Sequence, residues 1–157
     1  MSKITPAKVP HPNGYRQGLF IPTNTQKYRG DVNKIRFMSS WELKVFHFLD
    51  GNPNILEWSS EGVVVPYIKP TDGKIHKYYV DCWVKYRNKL GEIVEELWEI
   101  KPKKQTKPPT RRGKSKKTQL NETILHEINK AKWNSARLLC EKRGWVFRLI
   151  TEDSLFK

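Results

Sequence analysis

The run EIVEELWEIK, residues 92–101, reads as a β-strand, and it sets a carboxylate, Glu99, between Trp98 and Ile100. Side chains alternate faces along a strand, so Lys101 projects on the same side as Glu99, while Trp98 and Ile100 project on the other. A strand that only fills a core has no need of that pair. An earlier run, IHKYYVDCWVKYR (75–87), carries a second carboxylate, Asp81, among β-branched and aromatic residues. There Val80, Cys82, Val84 and Tyr86 share one face, and Asp81 lies on the other with Tyr79 and Trp83. Two carboxylates and an ammonium on one patch have a specific use. Paired oxygen ligands hold a Mg²⁺ ion that keeps some of its waters and accepts phosphate oxygens. Such an ion polarises a phosphodiester and lowers the pKa of an attacking water. The ammonium orients that water or offsets charge gathering on the phosphate. The plainer alternative is a solvated salt bridge on an exposed sheet face, because D…ExK spacing recurs by chance.

Whether the three groups meet depends on the turn between the strands, signalled by Asn88-Lys89-Leu90-Gly91. A three-residue turn at 88–90 or at 89–91 packs Val80, Cys82 and Val84 with Trp98 and Ile100. Asp81 then faces Leu97 or Glu99. Either register brings Asp81, Glu99 and Lys101 within the reach of about 5–8 Å between cross-strand and diagonal neighbours. A slip of one residue would mix both faces, against the apolar pattern. Glu42 is a possible third carboxylate. It also completes the capping box Ser39-x-x-Glu42, in which it bonds back to the start of its own helix. One side chain cannot fully serve both roles, and the sequence leaves them open.

The elements that must position these groups follow from periodicity and turn residues. SSWELKVFHFLD (39–50) reads as an amphipathic helix with Trp41, Val45, Phe48 and Leu49 on its apolar side, stopped by Gly51-Asn52-Pro53. ILEWSS (55–60), GVVVPYI (62–68), 75–87 and 92–101 read as strands, with a turn at Thr71-Asp72-Gly73-Lys74. Residues 102–119 hold Lys, Arg, Pro and Thr and no apolar side chain, so they read as a loop. Asn121 caps a long helix, 121–143, closed by Gly144, and WVFRLIT (145–151) is a last strand. The order is helix, three or four strands, helix, strand. The predicted class is α/β with a central mixed sheet flanked by helices.

At 157 residues one domain is expected. The formal charge of +14 is uneven. Residues 1–36 hold seven basic and one acidic residue, and 101–120 hold nine basic and none acidic, whereas 41–100 hold ten acidic and seven basic. A basic shell around an acidic centre suits a polyanion partner with a metal-binding cluster inside the contact zone. Lys103, Lys104, Lys107, Arg111, Arg112, Lys114, Lys116 and Lys117 form a clamp for a DNA backbone or, more plainly, a soluble loop. Lys132, with Lys130 and Arg137, lines the same groove or faces solvent. Residues 1–36, rich in Pro, Gly and Asn, read as an extended arm laid over the domain or ordered on DNA. Cys82 and Cys140 form no C-x-x-C pair and read as buried reduced thiols, which argues against a structural zinc. The four histidines show no metal-ligand spacing. Five of the six tryptophans read as core; Trp83, on the Asp81 face, packs under the first helix or touches DNA. The first 20 residues lack a signal-peptide core, and no apolar run approaches the roughly 20 residues of a membrane span. A soluble, intracellular protein is expected.

The helix Glu, strand V-D, hairpin, strand E-x-K, helix and strand together resemble the PD-(D/E)xK nuclease superfamily with its αβββαβ, restriction-endonuclease-like core. More narrowly, SSWELKVFHFLDGNPNILEWSSE, VPY, YYVDCWV and LWEIKPKKQTKPP are similar to the head-completion nucleases of large tailed phages, which in turn resemble the TnsA transposon endonuclease. The resemblance covers most of the chain. It implies that Asp81 and Glu99 are metal ligands, that Lys101 is the catalytic lysine and that Glu42 is a helix carboxylate at the metal. Mg²⁺ would be the cofactor, with Mn²⁺ as a substitute. The residue before Asp81 is Val80 rather than the motif's proline, which supplies a bend and no chemical group.

The expected molecule is thus an arm, 1–36, and a nuclease-like domain, 37–157, with a basic loop at 102–119. Its expected activity is metal-dependent hydrolysis of double-stranded DNA at packaged phage ends, with portal or other head-completion proteins as partners and the virion as a second location. The alternatives are a DNA-binding structural head protein on a degenerate nuclease fold, and a junction or repair nuclease on the same fold.

Overall fold

The computed structural model describes residues 3–4 and 17–155. In chain order the elements are β1 (Lys3–Ile4), β2 (Gly18–Ile21), β3 (Arg36–Phe37), α1 (Ser40–Gly51), β4 (Ile55–Ser60), β5 (Val64–Ile68), β6 (Ile75–Tyr79), β7 (Cys82–Arg87), β8 (Ile93–Ile100), α2 (Lys116–Arg143), β9 (Val146–Ile150) and α3 (Glu152–Leu155). The central sheet has the order β4-β7-β8-β9, antiparallel except for the parallel β8–β9 pair that α2 connects. With α1 in front and the β5–β6 hairpin inserted after β4, the expected αβββαβ order is present. The segment 75–87 is two strands, not one. β6 pairs with β5 as a separate hairpin, and the chain breaks at Val80-Asp81 before β7 joins the central sheet.

From Cys82 onward the faces alternate as the parity requires, whereas Val80, in the break before β7, packs with Trp83 and Leu97 rather than with Cys82 and Val84. Cys82, Val84, Ile100 and Ile150 pack on one side with Val45, Phe46 and Leu49 of α1 and with Phe20, Ile35 and Phe37. Trp83 and Leu97 pack on the other with Trp133, Ala136 and Cys140 of α2 and with Val65, Tyr67 and Tyr78 of the hairpin. Trp83 therefore lies under the long helix, not under α1 and not open to DNA. Each large side chain so buried contributes about 2–3 kcal/mol, which is what fixes the register against slippage. Phe20 and Ile35 sit in the core, so the split at residue 36 does not coincide with an edge of the core. The remainder of the expected arm, residues 1–2 and 5–16, lies outside the described residues.

Three local readings change. The buried stripe of α1 contains Phe46, 1% exposed, while Phe48 is 50% exposed. The stripe is Val45, Phe46, Leu49 and Asp50, whose carboxylate accepts from the backbone N–H of Thr23 and of Asn24 and ties residues 23–24 to the helix. Helix α2 starts at Lys116 with Ser115 as its cap, accepting from Thr118 N–H at 3.2 Å, so Asn121 lies inside the helix. The basic segment is correspondingly shorter and contains a 3-10 turn at Lys103–Thr106. Among the described residues no helix is long and apolar enough to cross a membrane.

Candidate active site

Asn88 N–H donates to Glu92 O at 2.9 Å and closes the three-residue loop 89–91, with Gly91 in the left-handed region at φ +81°. Cys82 then pairs with Trp98 and Trp83 with Leu97, and one more step along the same register sets Asp81 opposite Glu99. The main chain fixes Asp81 from three directions. Val80 N–H donates to Val63 O at 3.2 Å, Glu61 N–H donates to Asp81 O at 3.1 Å, and Ile100 N–H donates to Asp81 Oδ2 at 2.8 Å. A proline at 80 would remove the first of these bonds, so the bend forms here by hydrogen bonding instead.

Lys101 follows β8, anchored by its N–H on Ile150 O at 2.9 Å, and its Nζ stands 4.0 Å from Glu99 Oε2. Glu99 is 5% exposed. Burial, then the Glu99 carboxylate, then Glu42 push the Asp81 carboxyl well above its ordinary 3.8, against the opposing bond from Ile100. The structure thus crowds acidic groups on the α2 side of the sheet, with Lys101 beside them.

Further groups close around them. Burial and the carboxylates of Glu99 and Asp81 push the Tyr78 phenol far up, so it remains a hydroxyl donor. Tyr78 Oη and Trp133 Nε1 are buried without a hydrogen-bond partner. Lys132 Nζ lies 5.5 Å from the Tyr78 ring centroid and 5.8 Å from that of Tyr67, which places it beside the acidic cluster rather than on an outer groove. Burial lowers its pKa, with Glu99 opposing. Tyr78 and Trp133 gave no signal in the sequence, where both read as apolar packing. Glu61 was equally hidden. It holds a left-handed φ of +54°, and its charge raises the Glu42 carboxyl, second to burial among the raising effects.

Glu42 is held by the capping box. Its N–H donates to Ser39 Oγ at 3.1 Å, Ser39 Oγ donates to Oε2 at 3.3 Å, and Met38 N–H donates to Oε1 at 3.3 Å. Among the described residues no group of three or more His, Cys, Asp or Glu side chains is arranged to hold a metal ion. Glu42 acts on Asp81 through its charge from the helix cap. Asp81 and Glu99 remain a two-carboxylate set, which suits a Mg²⁺ ion that completes its shell with water and phosphate oxygens. The two facing carboxylates, with the buried Tyr78 Oη and Trp133 Nε1 beside them, fit a cation with its waters.

The basic segment divides. Lys103 pairs with Asp153 at 2.9 Å and Lys114 with Glu122 at 2.6 Å, so both are already engaged within the protein. Lys104, Lys107, Arg111, Arg112, Lys116 and Lys117 are exposed and carry no ion pair among the described residues. Lys130 pairs with Glu127, and the Arg137 guanidinium lies over Phe147.

Residues 52–152 match the family model described as TnsA-like endonuclease N terminal, which spans the site from β4 to β9. The chain is also 43% identical over 142 residues to the head completion nuclease of Enterobacteria phage T4, covering 88% of this chain and 92% of that protein.

Proposed function

The chain belongs to the TnsA-like endonuclease family, and from that premise we propose that it is a divalent-metal-dependent DNA nuclease acting on packaged DNA ends during phage head completion. The observation that carries this reading is the Asp81–Glu99 pair, two facing carboxylates with Lys101 Nζ 4.0 Å from Glu99 and Lys132 beside the cluster. Asp81 and Glu99 hold the cation. Mg²⁺, or Mn²⁺ in its place, supplies Lewis acidity toward the phosphodiester and makes water a nucleophile near neutral pH. Lys101 orients the attacking water and offsets charge on the phosphate as the water oxygen adds to phosphorus and the opposite P–O bond breaks. Tyr78 Oη and Trp133 Nε1 donate to oxygens in the same space. Glu42 acts from the helix cap as an electrostatic neighbour. Lys104, Lys107, Arg111, Arg112, Lys116 and Lys117 hold the duplex backbone without reading sequence. Portal or neighbouring head proteins are the protein partners this role implies.

The test is cleavage of linear and supercoiled plasmid in Mg²⁺ or in EDTA by the wild type, Lys101→Ala and Asp81→Ala. Cutting by the wild type alone, and only with metal, supports the reading. Equal DNA binding by all three with no cutting in any metal makes this a DNA-binding protein without turnover. Branched substrates cut in preference to linear ends would move the activity to junction processing.

A further inference from the structure

A cavity of about 440 Å³ lies between the basic segment and the first half of α2, lined among others by Lys104, Lys107, Pro109, Leu125, His126 and Asn129. Its floor is polar: Asn129, 3% exposed, lines it. His126 Nδ1 is buried without a partner. The Lys114–Glu122 ion pair, at 2.6 Å, braces the wall. Asn129 lies one helical turn before Trp133, whose orphaned Nε1 stands with Tyr78 at the acidic cluster. The inward face of α2 therefore sets the cavity one helical turn from the residues around Asp81 and Glu99.

We propose that this cavity receives a single unpaired nucleotide of the DNA strand beside the cut phosphate. This rests on the nuclease reading above. The volume lies within the range of pockets that enclose a small organic ligand, from about 300 Å³ upward, and an ion alone would leave most of it empty. An amide presents a donor and an acceptor side by side, the pattern that base edges complement. Pro109 and Leu125 are apolar walls for a base, and Lys104 and Lys107 stand where its phosphates emerge. A phosphate alone would be served by the lysines and would make no use of the Asn129 donor–acceptor pair. Unstacking is cheapest for a nucleotide that has no partner strand, so the cavity favours overhanging or frayed ends over continuous duplex.

The experiment measures binding by anisotropy of labelled duplexes in EDTA at fixed salt. One duplex is blunt and the other ends in a short single-stranded overhang. The wild type should bind the overhang duplex about tenfold more tightly, the scale of one stacked and hydrogen-bonded base. Asn129→Leu and the partly exposed Leu125→Trp, which fills the cavity from its rim, should each abolish that preference while binding the blunt duplex as the wild type does. If Asn129→Leu fails to fold, Leu125→Trp decides. Equal binding of the two duplexes by the wild type, or a preference kept by the variants, overturns the proposal. Plasmid cleavage in Mg²⁺ is read separately. Cutting without an overhang preference sinks the cavity and spares the nuclease, whereas the preference without cutting does the reverse.

Discussion

Glu96 and Glu99 stand three residues apart on β8, on opposite faces of one sheet, and both are buried, yet the protein treats them in opposite ways. Glu96, 2% exposed, accepts from Arg148 Nε at 3.0 Å and Nη2 at 2.9 Å, from Tyr86 Oη at 2.7 Å and from Trp98 Nε1 at 2.8 Å. Burial pushes its carboxyl up, but these donors more than offset that and leave it below the ordinary 4.5. Glu99 has Lys101 at 4.0 Å and faces Asp81, whose carboxyl is driven up. Four donors on one carboxylate make a structural brace. Two facing carboxylates whose nearest ion-pair contact is Lys101 at 4.0 Å are held less closely than Glu96, and a structural role alone would not favour that arrangement. The difference marks Glu96 as a brace of the fold and is what the proposed function requires of Glu99.

The largest expected effect separates the two on activity. Asp81→Asn and Lys101→Ala should each lower metal-dependent cleavage by about 10²–10³-fold or more with DNA affinity within about twofold, measured by plasmid cleavage and anisotropy together. Substituting the brace should do the converse. Glu96→Ala removes the buried acceptor shared by Tyr86, Trp98 and the half-exposed Arg148 and should cost about 1–3 kcal/mol in urea unfolding. Its remaining folded fraction should cut with ordinary metal dependence. Glu96→Ala as stable as the wild type would erase the distinction.

Acidity sharpens the contrast with opposite signs. Glu96 has a folded pKa below its unfolded one, so it stabilises the fold above about pH 4.5 and loses that stabilisation as pH falls through the lower, folded value. Asp81 has a folded pKa above its unfolded 3.8, so the folded state holds the proton more tightly. In EDTA, lowering the pH from above that raised pKa toward 4 should therefore stabilise the wild type relative to Asp81→Asn. Urea midpoints of both proteins across pH 4–8 read this out; parallel curves would contradict it. The smallest effect concerns the basic segment. Lys104→Ala with Lys107→Ala should flatten the log–log salt dependence of duplex binding by about 2, near one per lost phosphate contact, and leave Tm unchanged.

The parity of the hairpin was legible because Cys82, Val84, Trp98 and Ile100 alternate with Asp81, Glu99 and Lys101, but the choice between Leu97 and Glu99 opposite Asp81 was not, because it is set by the Asn88–Glu92 bond that closes the turn. The capping box of α1 was legible as a local pattern, although only the folded chain shows that the cap retains Glu42. The start of α2 was misplaced because residues 116–120 lack an apolar period, although Ser115-x-x-Thr118 carries the capping chemistry. Phe46 and Phe48 exchange places because Phe20, with its ring centroid 5.7 Å from that of Phe46, comes from outside the helix. The surroundings of the site were hidden for the same reason. Tyr78, Lys132 and Trp133 reach Glu99 from a hairpin and a helix far along the chain, and the Arg148 that pairs with Glu96 is 52 residues away from it.

The most direct measurement is thermal unfolding of the wild type and Asp81→Asn in EDTA and in millimolar Mg²⁺ or Ca²⁺ at matched ionic strength. A cation bound by Asp81 and Glu99 stabilises the folded state by mass action, at about 2–4 °C per kcal/mol for a chain of this size. The wild type should gain several degrees on adding the ion. Asp81→Asn should start higher in EDTA, because it has lost the repulsion with Glu99, and should gain nothing from the metal. A wild-type Tm indifferent to the ion, or an equal gain in Asp81→Asn, would contradict a metal site at this pair.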